Sequence, residues 1–252
     1  MLRTLTNRLL GKRGRDLLWQ AAQQVAYPPD FSAADVALCE RVRALTMTSP
    51  ERIAALAQAV RHVVANGLPG SFVECGVWRG GSMVAAALTL AELGDTTRDL
   101  YLFDTFEGMT DPTERDRTYA GVSADAKLSD AERKEGRNYW CIAGIDDVRA
   151  NMAATGYPME RVHLVRGPVE STIPQHAPDN IDLLRLDTDW YASTKHELEH
   201  LYPRLISQGP LIIDDYGHWE GARGAVDEYF GALSRKPLLT RIDYTGRCCV
   251  KP

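Results

Sequence analysis

A doubly wound α/β domain, with a mostly parallel sheet closed by an antiparallel hairpin, is predicted by three features of the chain. From Gly70 onward, apolar runs of strand length alternate with helical stretches, the rhythm of parallel strands joined by crossover helices. The first run leads into a glycine-rich turn, and the second, fourth and fifth end in aspartates. The last two runs, LLTRIDY and RCCVK, flank Thr245-Gly246, a short turn that predicts a hairpin.

Residues 1–68 read as an N-terminal helical extension and 69–252 as the sheet-bearing domain. The start, MLRTLTNRLLGKRGRD, is basic but lacks the apolar core of a signal peptide. It reads as a solvated or oligomer-packing helix. LLWQAAQQVA, DFSAADVALCERVRAL and SPERIAALAQAVRHVVANG follow, the first two separated by Tyr27-Pro28-Pro29. In the third, Ser49 is the expected N-cap, Pro50 takes the first helical position and Gly67 stops the helix. The strands are predicted at 71–75, 100–104, 161–166, 181–187 and 210–215. The intervening helices are expected at 80–93, about 144–155, 191–203 and 219–233. The charged segment 107–143 has little apolar periodicity. It reads as a solvated loop or as a lid, since loops after strand C-termini are where such sheets place ligands.

The composition is that of a folded domain: 252 residues, 44% apolar and 25% charged, which disfavours disorder, collagen-like repeats and coiled coil. A formal net charge of −5 argues against a dedicated nucleic-acid binder. Five cysteines, odd in number and without C-x-x-C spacing, fit a reduced, cytoplasmic protein. No apolar run approaches the roughly 18 residues of a transmembrane helix, so no membrane partner is expected.

The first strand runs into Glu74-x-Gly76-x-x-x-Gly80-Gly81-Ser82 and then a helix. This differs from the G-x-G-x-x-G that brings a pyrophosphate onto a helix N-terminus. S-adenosylmethionine carries an ammonium group, a carboxylate and a sulfonium instead. Glu74 is positioned to hold the amino-acid end, the glycines to admit it and the helix N-terminus to favour its carboxylate. Asp104, at the end of the second strand, is placed to accept hydrogen bonds from ribose hydroxyls, with Thr105 and Phe106 near the adenosine; a loop-capping role is the alternative. The expected cofactor set is therefore Glu74, Gly76, Arg79, Gly80, Gly81, Ser82, Asp104 and Thr105.

The fourth strand ends Asp187-Thr188-Asp189-Trp190-Tyr191 and the fifth Asp214-Asp215-Tyr216. In a parallel sheet both ends face one crevice, so four carboxylates converge and repel unless protonated or neutralised. Oxygen-only ligation suits a hard cation, Mg²⁺ foremost. Asp187, Asp189, Asp214 and Asp215 are the candidate ligands.

FVECGVWRGGSM, LYLFDTFEGM, LRLDTDWYASTKHELEHLYPRL and GPLIIDDYGHWEGARGAVDEYF together resemble the macrocin O-methyltransferase family, whose members include tylosin, mycinamicin and novobiocin sugar O-methyltransferases. The resemblance runs from about residue 45 to the end. It implies a class I S-adenosylmethionine-dependent methyltransferase fold and Mg²⁺-dependent methyl transfer to a sugar hydroxyl. The acceptor it implies is a glycosylated natural product or a nucleotide sugar, and the enzyme a homo-oligomer. Glu74, Gly76, Gly80, Gly81 and Asp104 fall on the family's cofactor motifs; Asp189, Asp214 and Asp215 fall on its acidic metal positions, with Asp187 in the same loop. Many relatives have Gly where this chain has Thr188, and a smaller residue than Trp190.

In the mechanism this suggests, the cation lowers the pKa of the acceptor hydroxyl and aims its oxygen at the sulfonium methyl. Asp189 is the first candidate for general base and His218 the second. Trp190, Tyr216 and Trp219 are candidates for the acceptor pocket. A phenolic or catechol-type acceptor is the alternative that shares this metal logic. A remote one is a zinc peptidase: His196-Glu197-Leu198-Glu199-His200 matches H-E-x-x-H, and Glu220 stands twenty residues further on. Its place on a crossover helix between acidic strand ends argues for a polar helical face instead.

Overall fold

The computed structural model describes residues 27–132 and 141–252; the expected basic terminal helix, LLWQAAQQVA and residues 133–140 of the charged segment lie outside the described residues. Helix α1 (Ala33–Val42) opens with a reciprocal cap between Ser32 and Asp35. In α2 (Pro50–Ala65), Ser49 Oγ accepts from the Arg52 amide at 3.2 Å and Pro50 occupies the first turn, as expected.

Then come β1 (Ser71–Cys75), α3 (Gly81–Glu92), β2 (Leu100–Asp104), α4 (Ala124–Glu132), α5 (Ile145–Ala153) and β3 (Val162–Arg166). They are followed by the short α6 (Val169–Thr172), β4 (Ile181–Leu186), α7 (Tyr191–Leu201), β5 (Pro210–Ile213), α8 (Glu220–Ala232), β6 (Thr240–Arg241) and β7 (Arg247–Val250). The strand order is β3-β2-β1-β4-β5-β7-β6, with β1 to β5 parallel and β7 antiparallel to both neighbours. The order reverses between β1 and β4, so a crevice opens at their carboxyl ends.

Side chains alternate between two cores. Phe72, Leu102 and Leu183 pack against α1, α2, α3 and α5, whereas Val73, Phe103 and Leu184 pack against α6, α7 and α8. Val42, Leu56 and Val60 share the first core with the sheet, so residues 33–65 and the sheet form one packing unit.

Two local expectations differ from the structure. β6 is two residues long, and the connection to β7 spans residues 242–246. The cause is Asp243, whose carboxylate accepts from the amides of Thr245 (2.9 Å) and Gly246 (2.6 Å) and also meets Arg52 and Ser49, pulling the chain off the ladder. The charged segment is not merely a loop. It contains α4, and its Asp116, fully buried, accepts from the amides of Thr113 (2.7 Å) and Tyr191 (2.8 Å), which ties it to the start of α7. A Cβ on Gly221 would stand 2.1 Å from that carboxylate, so the first turn of α8 needs glycine for the segment to dock.

Candidate active site

A cavity of 680 Å³ lies at the carboxyl ends of β1, β2, β4 and β5. Of the expected cofactor residues, Gly76, Ser82, Asp104 and Thr105 are on its wall, while Glu74, Arg79, Gly80 and Gly81 are not. Gly76 has φ +78°, and a Cβ there would stand 1.9 Å from the carbonyl oxygen of Asp187. Glycine is therefore required by the approach of the β4 loop rather than by space for a ligand. Gly81 donates to Leu45 O at 3.1 Å and has no room for a Cβ against it, so it admits the segment before α2. Arg79 is spent on Asp147 and on the carbonyl of Ala44. The carboxylate of Asp104 accepts from Val77 N (2.6 Å), Trp78 N (3.1 Å) and Phe106 N (2.7 Å), clasping the loops after β1 and β2. Trp78, Phe106, Cys141 and Asp189 all hold positive φ, and three of these four line the cavity. Non-glycine residues in that region mark strain of the kind that functional sites retain.

At the ends of β4 and β5 the expected crowd of carboxylates is present, but with two guanidinium groups inside it. Arg185, the penultimate residue of β4 and 3% exposed, donates to Glu74 Oε1 (2.7 Å), Asp187 Oδ2 (2.7 Å), Asp214 Oδ1 (2.5 Å) and Thr48 Oγ1 (3.0 Å). Glu74 is thus a buried ion-pair partner beneath the cavity floor, not a wall residue open to an ammonium group. Burial, with Asp187 nearby, pushes its carboxyl up to about 7 despite that partner. Arg52 pairs with the other oxygen of Asp214 and with Asp243. An arginine inside the apolar run IDLLRLD signals in the sequence that buried acids must meet it, and strand register makes Glu74 one of them. Arg52 and Thr48 carry no such signal, because their approach is made by the fold of residues 45–52.

Neither arginine forms an ion pair with Asp189 or Asp215. Burial together with Asp187 raises the Asp189 carboxyl to about 7, and burial beside Asp189 raises Asp215 well above the usual range. Oδ2 of Asp215 is buried without a hydrogen-bond partner. One oxygen from each of Asp187, Asp214 and Asp215 lies within 4.8 Å of the others. That donor set fits a hard divalent cation. Asp189 is outside the trio, and its Oδ1 accepts from Trp219 Nε1 at 2.5 Å.

The expected aromatic wall is partly corrected. Trp219 and His218 line the cavity; Trp190 and Tyr216 do not. Trp190 is buried and donates to Thr110 O (2.9 Å), anchoring the charged segment, and the Tyr216 hydroxyl donates to Asp227 (2.8 Å). His218 Nε2 is 3.0 Å from Lys127 Nζ and Nδ1 is 3.2 Å from the Tyr244 hydroxyl. Burial and then Lys127 lower the His218 pKa, so the ring is neutral and its Nε2 lone pair faces the ammonium group. Lys127, Leu128, Met109 and Cys141 bring the charged segment onto the cavity wall, where sequence patterning leaves a lid and a solvated loop equally open.

The H-E-x-x-H motif builds no zinc centre among the described residues. The rings of His196 and His200 are 4.4 Å apart, but His196 Nε2 meets the carbonyl of Ile173 at 2.9 Å. Glu197 points into the protein, fully buried, to Thr188.

The sequence pattern of the macrocin O-methyltransferase (TylF) family matches residues 20–250. The chain belongs to that family. It is 36% identical over 202 residues to the 8-demethyl-8-(2,3-dimethoxy-α-L-rhamnosyl)-tetracenomycin-C 4′-O-methyltransferase of Streptomyces olivaceus, covering 80% of this chain and 73% of that protein. It is 31% identical over 230 residues to the demethyldecarbamoylnovobiocin O-methyltransferase of Streptomyces niveus, covering 88% and 84%. The solved structure of the O-methyltransferase NovP superposes with a TM-score of 0.71 at 30% identity, over 82% of each chain. The protein is an O-methyltransferase with a class I methyltransferase fold. No helix among the described residues is long and apolar enough to cross a membrane.

Proposed function

We propose that the protein transfers the methyl group of S-adenosylmethionine to a sugar hydroxyl of a glycosylated natural product, in a reaction that requires Mg²⁺. The observation that carries this reading is the trio Asp187, Asp214 and Asp215, drawn together on the wall of the cavity that Gly76 and Asp104 also line. The sugar acceptor is supported by the relatives, one acting on a rhamnosyl-tetracenomycin and another on mycinamicin III at its 3″ oxygen. When bound, S-adenosylmethionine supplies an electrophilic methyl, and the cation acidifies the hydroxyl it touches.

The chain's residues do the rest. The backbone of Gly76–Trp78, with Ser82, Asp104 and Thr105, forms the wall for the adenosyl and amino-acid parts. Asp187, Asp214 and Asp215 hold the cation, and Arg52 and Arg185 fix the Asp214 carboxylate in place. Asp189, oriented by Trp219 Nε1, receives the hydroxyl proton. Lys127 and Leu128 of the charged segment form part of the wall that borders the acceptor. Neither His196 nor His200 takes part.

The test is calorimetry with S-adenosylhomocysteine, followed by product mass spectrometry on a panel of rhamnosylated metabolites, nucleotide sugars and catechols. Binding and a mass gain of one methyl on a glycoside, stopped by EDTA and restored by Mg²⁺, is the expected result. Methylation of catechols but no glycoside would move the acceptor to the phenolic class. Full turnover in excess EDTA, with no metal by elemental analysis, would remove the cation from the mechanism.

A further inference from the structure

Glu197 faces the site from beneath. It lies in the second turn of α7, fully buried, and its Oε1 accepts a hydrogen bond from Thr188 Oγ1 at 2.9 Å. Its Oε2 has no hydrogen-bond partner among the described residues, and the buried Cys75 thiol lies beside the carboxyl. Thr188 is on the cavity wall and Glu197 is not, so Glu197 touches neither ligand nor solvent.

Thr188 is the middle residue of the turn that carries Asp187 and Asp189. That turn is strained: Asp189 holds φ +64°, in the left-handed region that a residue with a Cβ enters only at a cost. Its backbone is pinned at both ends. Asp187 N donates to Cys75 O (2.9 Å), and Thr188 O accepts from Trp190 N (2.7 Å) and Ser193 Oγ (3.4 Å). The Thr188 side chain adds a third pin, directed down into the protein. A buried carboxyl with a single hydrogen bond is expensive where an apolar residue would pack, so its place under this turn calls for a reason beyond packing.

We propose that Glu197 is a positioning residue: through Thr188 Oγ1 it holds the turn in the geometry that brings Asp187 to Asp214 and Asp215 while directing Asp189 to Trp219. The inference rests on reading the aspartate trio as a cation site.

Mn²⁺ titration followed by electron paramagnetic resonance tests both. The relevant component is the one that Asp215→Asn removes. Thr188→Val and Glu197→Ala are each expected to weaken it about tenfold, the effect typical of losing a residue that orients a ligand. Affinity for S-adenosylhomocysteine, by calorimetry, should fall by less than the Mn²⁺ affinity does, because Asp104, whose carboxylate clasps the loops after β1 and β2, is not held by this turn. Glu197→Gln keeps the Oε1 acceptor and should restore Mn²⁺ binding. The double variant Thr188→Val/Glu197→Ala should be no weaker than the worse single one, since both remove the same bond. If Glu197→Ala does not fold, Thr188→Val at its half-buried position still carries the test. Parent-like Mn²⁺ affinity in Thr188→Val overturns the proposal, as do additive losses, or a Glu197→Gln variant that binds Mn²⁺ no better than Glu197→Ala. A parent protein in which Asp215→Asn removes no Mn²⁺ overturns the cation-site reading and the inference with it.

Discussion

Asp104 and Asp215 stand at the carboxyl ends of parallel strands on opposite sides of one crevice, yet their surroundings treat them differently. Asp104 accepts three backbone N–H groups and closes the loops after β1 and β2. Asp215 is buried with one oxygen unpartnered, beside Asp189, and its carboxyl is raised by burial and by that neighbour. A satisfied carboxylate holds structure together. An unsatisfied one among like charges stores a demand for a cation or a proton. The same residue type, at the same kind of position, is therefore architectural on one side and poised for chemistry on the other.

The largest expected effect lies under both sides. Arg185→Met removes the guanidinium that Glu74, Asp187 and Asp214 share, leaving buried carboxylates uncompensated. It should destabilise the fold by about 3–5 kcal/mol, measured by urea unfolding. A loss below about 1 kcal/mol would mean that the acids are neutral without it.

Next come the mirror-image variants that test the comparison directly. Asp215→Asn should lower turnover by at least about 10²-fold. In EDTA it should raise the melting temperature, because a buried charge is removed. Asp104→Asn should do the reverse. An amide oxygen can serve one loop but its NH₂ cannot accept from the other, so stability should fall by about 1–3 kcal/mol, seen as a lower melting temperature, while Mn²⁺ binding stays parental. Equal melting temperatures for the two variants would dissolve the distinction.

A smaller effect is expected at Trp190. Trp190→Phe loses the hydrogen bond to Thr110 O, worth about 1 kcal/mol. It should loosen the segment carrying Asp116 and Lys127, readable as faster amide exchange at residues 108–128 with β1 to β5 unchanged. The smallest belongs to His196→Ala/His200→Ala, which should leave turnover within a few-fold and unfolding free energy within about 0.5 kcal/mol per site. A larger loss of either would mean that the pair supports the site or the core.

The alternation of apolar runs, the Ser49-Pro50 helix start and the four aspartates at two strand ends are legible in the chain itself, because each is written in residues close together in sequence. Glu74 and Asp104 are legible as acidic strand ends, but their partners are not. Glu74 meets Arg185 across a register that joins residues 111 positions apart, and Asp104 spends its oxygens on amides of a loop 26 and 27 positions earlier. Gly76 has the pattern of a ligand cradle, yet the carbonyl of Asp187 stands 1.9 Å from its missing Cβ. Likewise, Glu197 is one letter of a zinc motif in sequence, and α7 turns it inward to Thr188. Sequence by itself determined the fold class, the family and which aspartates end the strands at the crevice, since patterning and motif order are local. Only the tertiary structure decided which of those groups are already satisfied, because satisfaction depends on partners brought together by strand register and loop docking, and no local pattern encodes them.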